Sequence, residues 1–536
     1  MRQTFLLPTL AALILPAAHA IAHEHDPQEP PAGNLGVVIF ETSCDVHLRP
    51  EFNRAVALLH SFWHNEAQRA FESVAARDPE CAMAYWGEAM THAHQILDWP
   101  TAAEQAAGSH ALARADAARK KSAREQAYIR ALHLLFDGYA ANFYENAKRY
   151  ADAMADLCAQ YPEDVEAKTF YALALLTSDP PDDLDLLNPK KAVAILYPIL
   201  REHPDHPGVA HYIIHASDNP SMAQEGLEAA RRYAAIAPAA PHALHMPAHI
   251  FARLGLWQDD IRSNLASKAS AERAAGAHVG AHVGAENRLH AIEFLEYAYL
   301  QTGQFEAARA MVTEAGTVRQ AEVDARYPTY YAQVESRFPA LFAVETQDWA
   351  MAARLEPITG ASWYGQGLTL LAHAIAAGHT HDPHAGKAAA DSMDSLVSTL
   401  PAWQPGSANA TLPDEIHAWS DFAQGDLASA RSLLQALSAR QARVGKGEVE
   451  LPAGEMLADM LLLSGKADEA LRQYTTSLAS DPNRFNALLG AGQAAEESGE
   501  AELAAQYYRT VIANSAGASG TALDRLAHAR SFVALR

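Results

Sequence analysis

A recurrence of 34 residues constrains this chain more than any other feature. Near the C-terminus Gly465, Ala470 and Tyr474, with Pro482 after them, return as Gly499, Ala504 and Tyr508, each 34 positions on (465 to 499, 470 to 504, 474 to 508). A period of that length with small and aromatic residues at fixed places describes a helix–turn–helix unit. The small residues let two helices approach, the aromatic fills the space between them, glycine reverses the chain, and proline ends the second helix. One such unit cannot bury its own apolar face. Units must therefore stack, and the expected fold is an all-α solenoid of helical hairpins with no sheet and with contacts largely between adjacent units.

The same marks occur upstream. They include Phe71 to Trp86 with Asp78-Pro79 and Ala82-Met83-Ala84-Tyr85-Trp86, then Gly255-Leu256-Trp257, Gly303-Gln304-Phe305, Trp349 and Gly425-Asp426-Leu427. On these residues the chain resembles the tetratricopeptide repeat (TPR) family. The resemblance covers most of residues 50–515, with the poorest match in 95–160 and 315–410. The strings His60-Ser61-Phe62-Trp63, Ala82-Met83-Ala84-Tyr85-Trp86-Gly87 and Ala240-Pro241-His242-Ala243-Leu244-His245-Met246-Pro247 resemble a group of exported bacterial TPR proteins without an established activity. That resemblance implies a fold and a compartment and carries no catalytic residue over.

The chain has 536 residues, too many for one compact core, and its 49% hydrophobic and 20% charged content is that of an ordinary folded protein. A net charge of −23 argues against nucleic acid or an anionic membrane as the main partner. Arg2 followed by the apolar run Phe5 to Ala18 reads as an export signal, with overlapping cleavage sites at Ala18-His19-Ala20 and Ala20-Ile21-Ala22. No later run is long enough to span a bilayer, so the mature protein is expected in the periplasm or secreted. The expected organisation is a signal peptide at 1–22, an N-terminal arm at 23–47, TPR-like repeats at 48–275, a His/Gly insertion at 276–288, central repeats at 289–410 and C-terminal TPR repeats at 411–536. A mature end near His23 could chelate Cu(II) through its amine and imidazole. Three cysteines exclude a disulfide framework but permit one bond. Cys44 precedes one hairpin and Cys81 follows it, so these two are the expected pair; the alternative is three separate buried thiols.

The histidines follow the same period. His211 and His215 are four apart, as are His245 and His249, and the two pairs are offset by 34 residues. Residues four apart share a helix face, and the repeat sets those faces side by side. With repeat units running 207–240 and 241–274, His242, His245 and His249 form one stripe beside that of His211 and His215, with Asp218 close by. The next hairpin adds His290, Glu293 and Tyr297. In TPR-like proteins this stripe lines the concave groove, where histidines also hold peptide carboxylates or backbone without a metal, or simply pack, and both alternatives stand beside a metal site. The expected transition-metal ligands are His211, His215, His242, His245, His249, His290 and Glu293, a set that suits Zn, Cu, Ni or Fe without selecting among them. Pro247 lies inside the helix carrying two of them and must interrupt it.

Other histidines carry less. His60 and His94, also 34 apart and near Glu88, His92, Trp63, Trp86 and Trp99, read as satisfied core residues; His278 and His282 read as an insertion loop; His379, His381 and His384 read as solvated turn residues. The chain has no H-E-x-x-H, G-x-S-x-G, G-x-x-x-x-G-K-[ST] or C-x-x-C motif. Two functional classes stay open. One is an exported scaffold holding a protein or peptide in its groove, with a histidine-rich metal site. The other is a metal-dependent hydrolase or oxidoreductase using the same cluster, with Glu293 as base and Tyr297 as donor. Catalytic residues and oligomeric state are not legible.

Overall fold

The computed structural model describes residues 33–96, 100–138, 143–180, 183–277, 285–319, 330–398, 400, 411–447 and 449–536. The expected signal peptide, His23, His25, Trp99, His278 and His282 lie outside them. Every regular element among the described residues is helical; two isolated bridges, Cys81 with Lys120 and Gln304 with Ser519, form no strand. The fold is an all-α, TPR-like array of hairpins.

The C-terminal repeats show why the period works. Helices Ala453–Leu463 and Ala467–Ser480 reverse at Gly465, and Phe485–Glu497 and Ala501–Asn514 reverse at Gly499, with φ of 68° and 78°. Side chains other than glycine reach that left-handed region only at a cost. Ala470, Tyr474, Ala504 and Tyr508 are all buried. The Tyr474 and Tyr508 rings lie against Gly490 and Gly492, where an added Cβ would overlap them. Helices therefore meet at ring-to-backbone distance.

The segments that match the repeat poorly are helical as well, including Ala102–Ala117, Ala123–Leu135, Phe143–Gln160, Tyr330–Glu345, Trp363–Thr380 and Pro383–Val397. Local chemistry starts several of them. Thr101 with Glu104, and Ser122 with Glu125, form complete capping boxes. Glu125 also accepts the Ser43 N–H at 2.7 Å, which ties the end of the arm to the repeats. Phe40 sits in the core among Phe52, Trp86 and Tyr128, with ring centroids 5.7, 5.6 and 5.2 Å away. Cys44 and Cys81 are joined by a disulfide with Cα atoms 4.7 Å apart. Cys158 is free.

Two features depart from simple nearest-neighbour stacking. Pro247, lacking an N–H, divides its helix into Pro241–His245 and Pro247–Arg253, which meet at Met246. The array also turns back on itself. Trp257 Nε1 donates to the Asn483 carbonyl at 2.8 Å and Arg253 Nη1 to the Lys446 carbonyl at 2.7 Å. The buried Arg484 guanidinium donates to Glu345 at 2.7 Å and to Glu455 and the Tyr297 hydroxyl. These bonds bring helices from the middle of the chain against the last repeats.

Candidate metal centre

Six histidines on four helices converge where the Pro207–Ala216, Pro241–His245, Pro247–Arg253 and Ala285–Gln301 helices meet. They form two triads, His211/His215/His242 and His245/His249/His290, and within each triad one ligand atom per residue lies within 4.8 Å of the others.

In the first triad His211 Nε2 lies 3.0 Å from His215 Nε2 and 3.1 Å from His242 Nε2. His211 Nδ1 is 2.6 Å from the His60 carbonyl, which can only accept, so the proton sits on Nδ1 and Nε2 presents its lone pair to the other two rings. Phe62 covers this triad, with its centroid 4.4 Å from His211 and 5.6 Å from both His215 and His242. Its φ is 52°, a left-handed conformation that costs a bulky residue and that the surrounding packing must impose.

The second triad is fixed more fully. His245 Nδ1 donates to Asn264 Oδ1 at 2.7 Å, and the amide cannot be reversed because Asn264 Nδ2 donates to the Asp260 backbone carbonyl at 3.2 Å, which can only accept, as well as to Asp260 Oδ1 at 2.7 Å. His249 Nδ1 donates to Asp218 Oδ2 at 2.8 Å, and His290 Nδ1 to Glu293 Oε2 at 3.1 Å. All three imidazoles thus carry their proton on Nδ1 and offer Nε2. His245 Nε2 and His249 Nε2 are 2.9 Å apart, two lone pairs face to face, an approach that is favourable only with a proton or a metal ion between them. Phe294 covers this triad at 4.7, 5.0 and 5.3 Å from the three rings.

Guanidinium groups hold the outer carboxylates. Arg253 Nε donates to Asp218 Oδ1 at 2.8 Å and Arg337 Nε to Glu293 Oε1 at 2.7 Å. The triads adjoin: His242 and His245 have centroids 6.1 Å apart and His215 and His249 6.3 Å, comparable to 6.2 Å for His215 and His242 within the first triad. Burial first, and then the neighbouring imidazoles, push His211, His242 and His245 well below the ordinary histidine value, so these rings are neutral at physiological pH.

A third cluster, His60, Glu166 and His206, also has ligand spacing. Its hydrogen bonds close without an ion. His206 Nδ1 accepts the Val209 N–H at 3.3 Å, so its Nε2 donates to Glu166 Oε1 at 3.0 Å; His60 Nε2 donates to Glu166 Oε2 at 2.9 Å while its Nδ1 accepts from the Tyr212 hydroxyl at 2.9 Å. Burial alone would raise the Glu166 carboxyl, but the two imidazoles, His206 foremost, outweigh it and hold it well below the usual carboxylate range. Gly208 makes room for this cluster, since a Cβ there would overlap the His60 ring. The cluster anchors the His60 carbonyl that sets the His211 tautomer.

Set against the sequence reading, the six histidines come together and Glu293 takes a different place. Its carboxylate is committed to His290 Nδ1 and Arg337, which makes it an orienting group outside the ligand triads. The stripe does not line an open groove: His211, His245 and His249 are buried and only His215, His242 and His290 are partly exposed, because Phe62, Phe294 and Tyr233 pack on the rings. Tyr297 belongs to the Arg484 network, with its hydroxyl donating to the Glu450 carbonyl at 3.3 Å. His379 is not solvated; it stacks on Trp349 at 4.0 Å and Trp419 at 5.3 Å, and burial pushes it down to about 4. His94 pairs with Glu104 at 3.1 Å, and Glu88 with Arg114 at 3.1 Å. Sequence reasoning missed Asn264, Phe62, Phe294 and the Glu166–His206 support. Only His206, directly before Pro207 at a helix start, carried a local signal.

No protein-family model matches this chain, and no curated protein matches it. Among solved structures it is similar to the human IFIT1 dimer with m7Gppp-AAAA, at 12% identity and a TM-score of 0.36, over 89% of this chain and 96% of that one. It is also similar to the APC/C hetero-tetramer Cut9-Hcn1, at 12% identity and a TM-score of 0.32, over 90% and 89%.

Proposed function

We propose that this chain is an exported metalloprotein, a TPR-like scaffold whose six-imidazole cluster holds two transition-metal ions, one in each triad. The observation that carries this reading is the second triad. Each of its Nδ1–H groups is donated to an oxygen, of Asn264, Asp218 or Glu293, so that every Nε2 is left for an ion. Outer acceptors that fix the tautomer and aim the ring are what metal-bound histidine requires. Metal–nitrogen bonds of about 2.0–2.1 Å put tetrahedral ligand nitrogens roughly 3.3–3.4 Å apart. The 2.9–3.1 Å separations between Nε2 atoms are a few tenths of an ångström from that spacing. Export is supported by the Cys44–Cys81 disulfide, which persists in an oxidising compartment.

The scaffold would also offer its stacked helices to a protein or peptide partner, a role that rests on the fold alone. Metal analysis of protein purified from its native compartment tests the reading. Two ions per chain are expected, falling to one in His242→Ala. A protein that neither retains nor takes up a transition metal would overturn it.

A further inference from the structure

Building on that metal reading, we infer that the two ions are a copper pair, held as Cu(I), and that the pair binds dioxygen between its members. The donor set comes first. All six candidate ligands are imidazoles, which bind a metal ion as neutral donors, with no thiolate, thioether or carboxylate among them. That set suits copper, zinc, iron or nickel and disfavours magnesium, calcium and manganese. The nearest carboxylates are engaged elsewhere: Asp218 spans His249 and Arg253, and Glu293 spans His290 and Arg337. Neither can swing in to bridge two ions without abandoning a guanidinium.

Charge separates the remaining metals. Two divalent ions would bring four positive charges into a buried cluster whose ligands contribute none and whose outer carboxylates are already balanced by arginine. Two monovalent ions bring two. The desolvation cost of an ion grows with the square of its charge, so the site favours the monovalent state strongly. Of the metals that imidazole binds well, copper has a stable monovalent form. Three donors per ion leave each one open to a further ligand.

The arrangement supplies the rest. Rings on opposite sides of the boundary, at 6.1 and 6.3 Å, are about as far apart as the outer rings of a single triad. Ions seated in the two triads would therefore be immediate neighbours, and a separation of roughly 3.5–4 Å, as in two-metal sites, is what a shared bridging ligand requires. Phe62 and Phe294 close the cluster with apolar faces, which admit a small neutral molecule more readily than a charged one.

Dioxygen satisfies each of these conditions. Each Cu(I) gives one electron and becomes Cu(II), and dioxygen takes both electrons to become a peroxide bridging the two ions. The O–O bond falls from double to single, no proton moves and no atom leaves. The total charge in the pocket stays at two positive charges, so the buried site pays no new desolvation cost on oxidation.

The test uses the full-length mature protein, loaded with Cu(I) under anaerobic conditions and then exposed to oxygen. Two coppers per chain, uptake of one O2 per pair, an electron-paramagnetic-resonance-silent product and an O–O vibration that shifts with 18O2 are expected. Two coppers that take up no oxygen, or that oxidise to separate paramagnetic Cu(II) ions, would overturn the inference and leave the metal reading intact. Failure to bind two ions of any metal would overturn both. His242→Ala should lower copper from two to one and oxygen uptake at least tenfold, with helical circular dichroism unchanged. His290→Ala, in the other triad and on its most exposed ring, should do the same. Uptake retained by either variant at one copper per chain would show that no pair is needed.

Discussion

Replacing Cys44 and Cys81 together by serine should loosen the N-terminal hairpin and leave the C-terminal repeats as they are. The bond closes a loop with a sequence separation of 37, which contains helices Arg49–His60 and His64–Arg77. For a loop of that length the chain-entropy relation gives an upper value of about 4 kcal/mol at 25 °C. In an array whose units are coupled mainly to their neighbours, the loss should be local, and a single global unfolding energy is not the right readout. Hydrogen exchange followed by mass spectrometry is. About 4 kcal/mol corresponds to at most roughly a thousandfold loss of amide protection, and tenfold to a hundredfold is the working expectation because measured effects usually fall short of the entropic limit. That loss should fall on residues 49–77, while 453–514 keep their protection. Because His60 ends the first helix of this hairpin and its carbonyl holds His211 Nδ1, loss of order should reach the first triad before the second. A change below threefold in residues 49–77, or an equal change in 453–514, would refute the reasoning.

Three further outcomes follow from particular residues. Asn264→Ala removes the acceptor that fixes the His245 tautomer, so metal affinity at the second triad should fall by about 10- to 100-fold with the first triad unaffected, as isothermal titration would show; equal affinities would sink the positioning role. Gly465→Pro sets a φ of 68° against a ring locked near −65° and deletes the Gly465 N–H bond to the Leu462 carbonyl, so the last repeats should lose about 3 kcal/mol or more, seen as early local exchange; a native exchange pattern there would contradict it. Asp179 has a buried oxygen without a hydrogen-bond partner among the described residues, and burial raises its carboxyl to about 7. Since the folded value lies above the unfolded one, its favourable contribution is complete below about pH 4 and is lost as pH rises through 7. Asp179→Asn should therefore gain on the natural protein between those limits, by about 1 kcal/mol once partial exposure is allowed for; a urea-titration difference independent of pH would count against the assignment.

The repeat itself was legible because its marks are local. Glycines 465 and 499 must take a left-handed turn, and Ala470, Tyr474, Ala504 and Tyr508 must pack a neighbouring helix wherever the rest of the chain lies. The helices of 95–160 and 330–398 were harder to place by period, since their cores use other residues and their starts rely on capping pairs such as Thr101 with Glu104. At the candidate site, i,i+4 spacing and the 34-residue offset put the six imidazoles on adjoining faces from sequence alone. Even the break at Pro247 followed from its missing N–H. Three things waited for the tertiary structure: the division into two triads, the burial of the rings under Phe62 and Phe294, and the tautomers set by the His60 carbonyl, Asn264, Asp218 and Glu293. Helical period determines which side chains share a face. Which nitrogen of an imidazole carries the proton is decided by the acceptor behind it, and apart from Glu293, which shares a helix with His290, those acceptors come from elsewhere in the chain, up to 151 residues away in the case of His60 and His211.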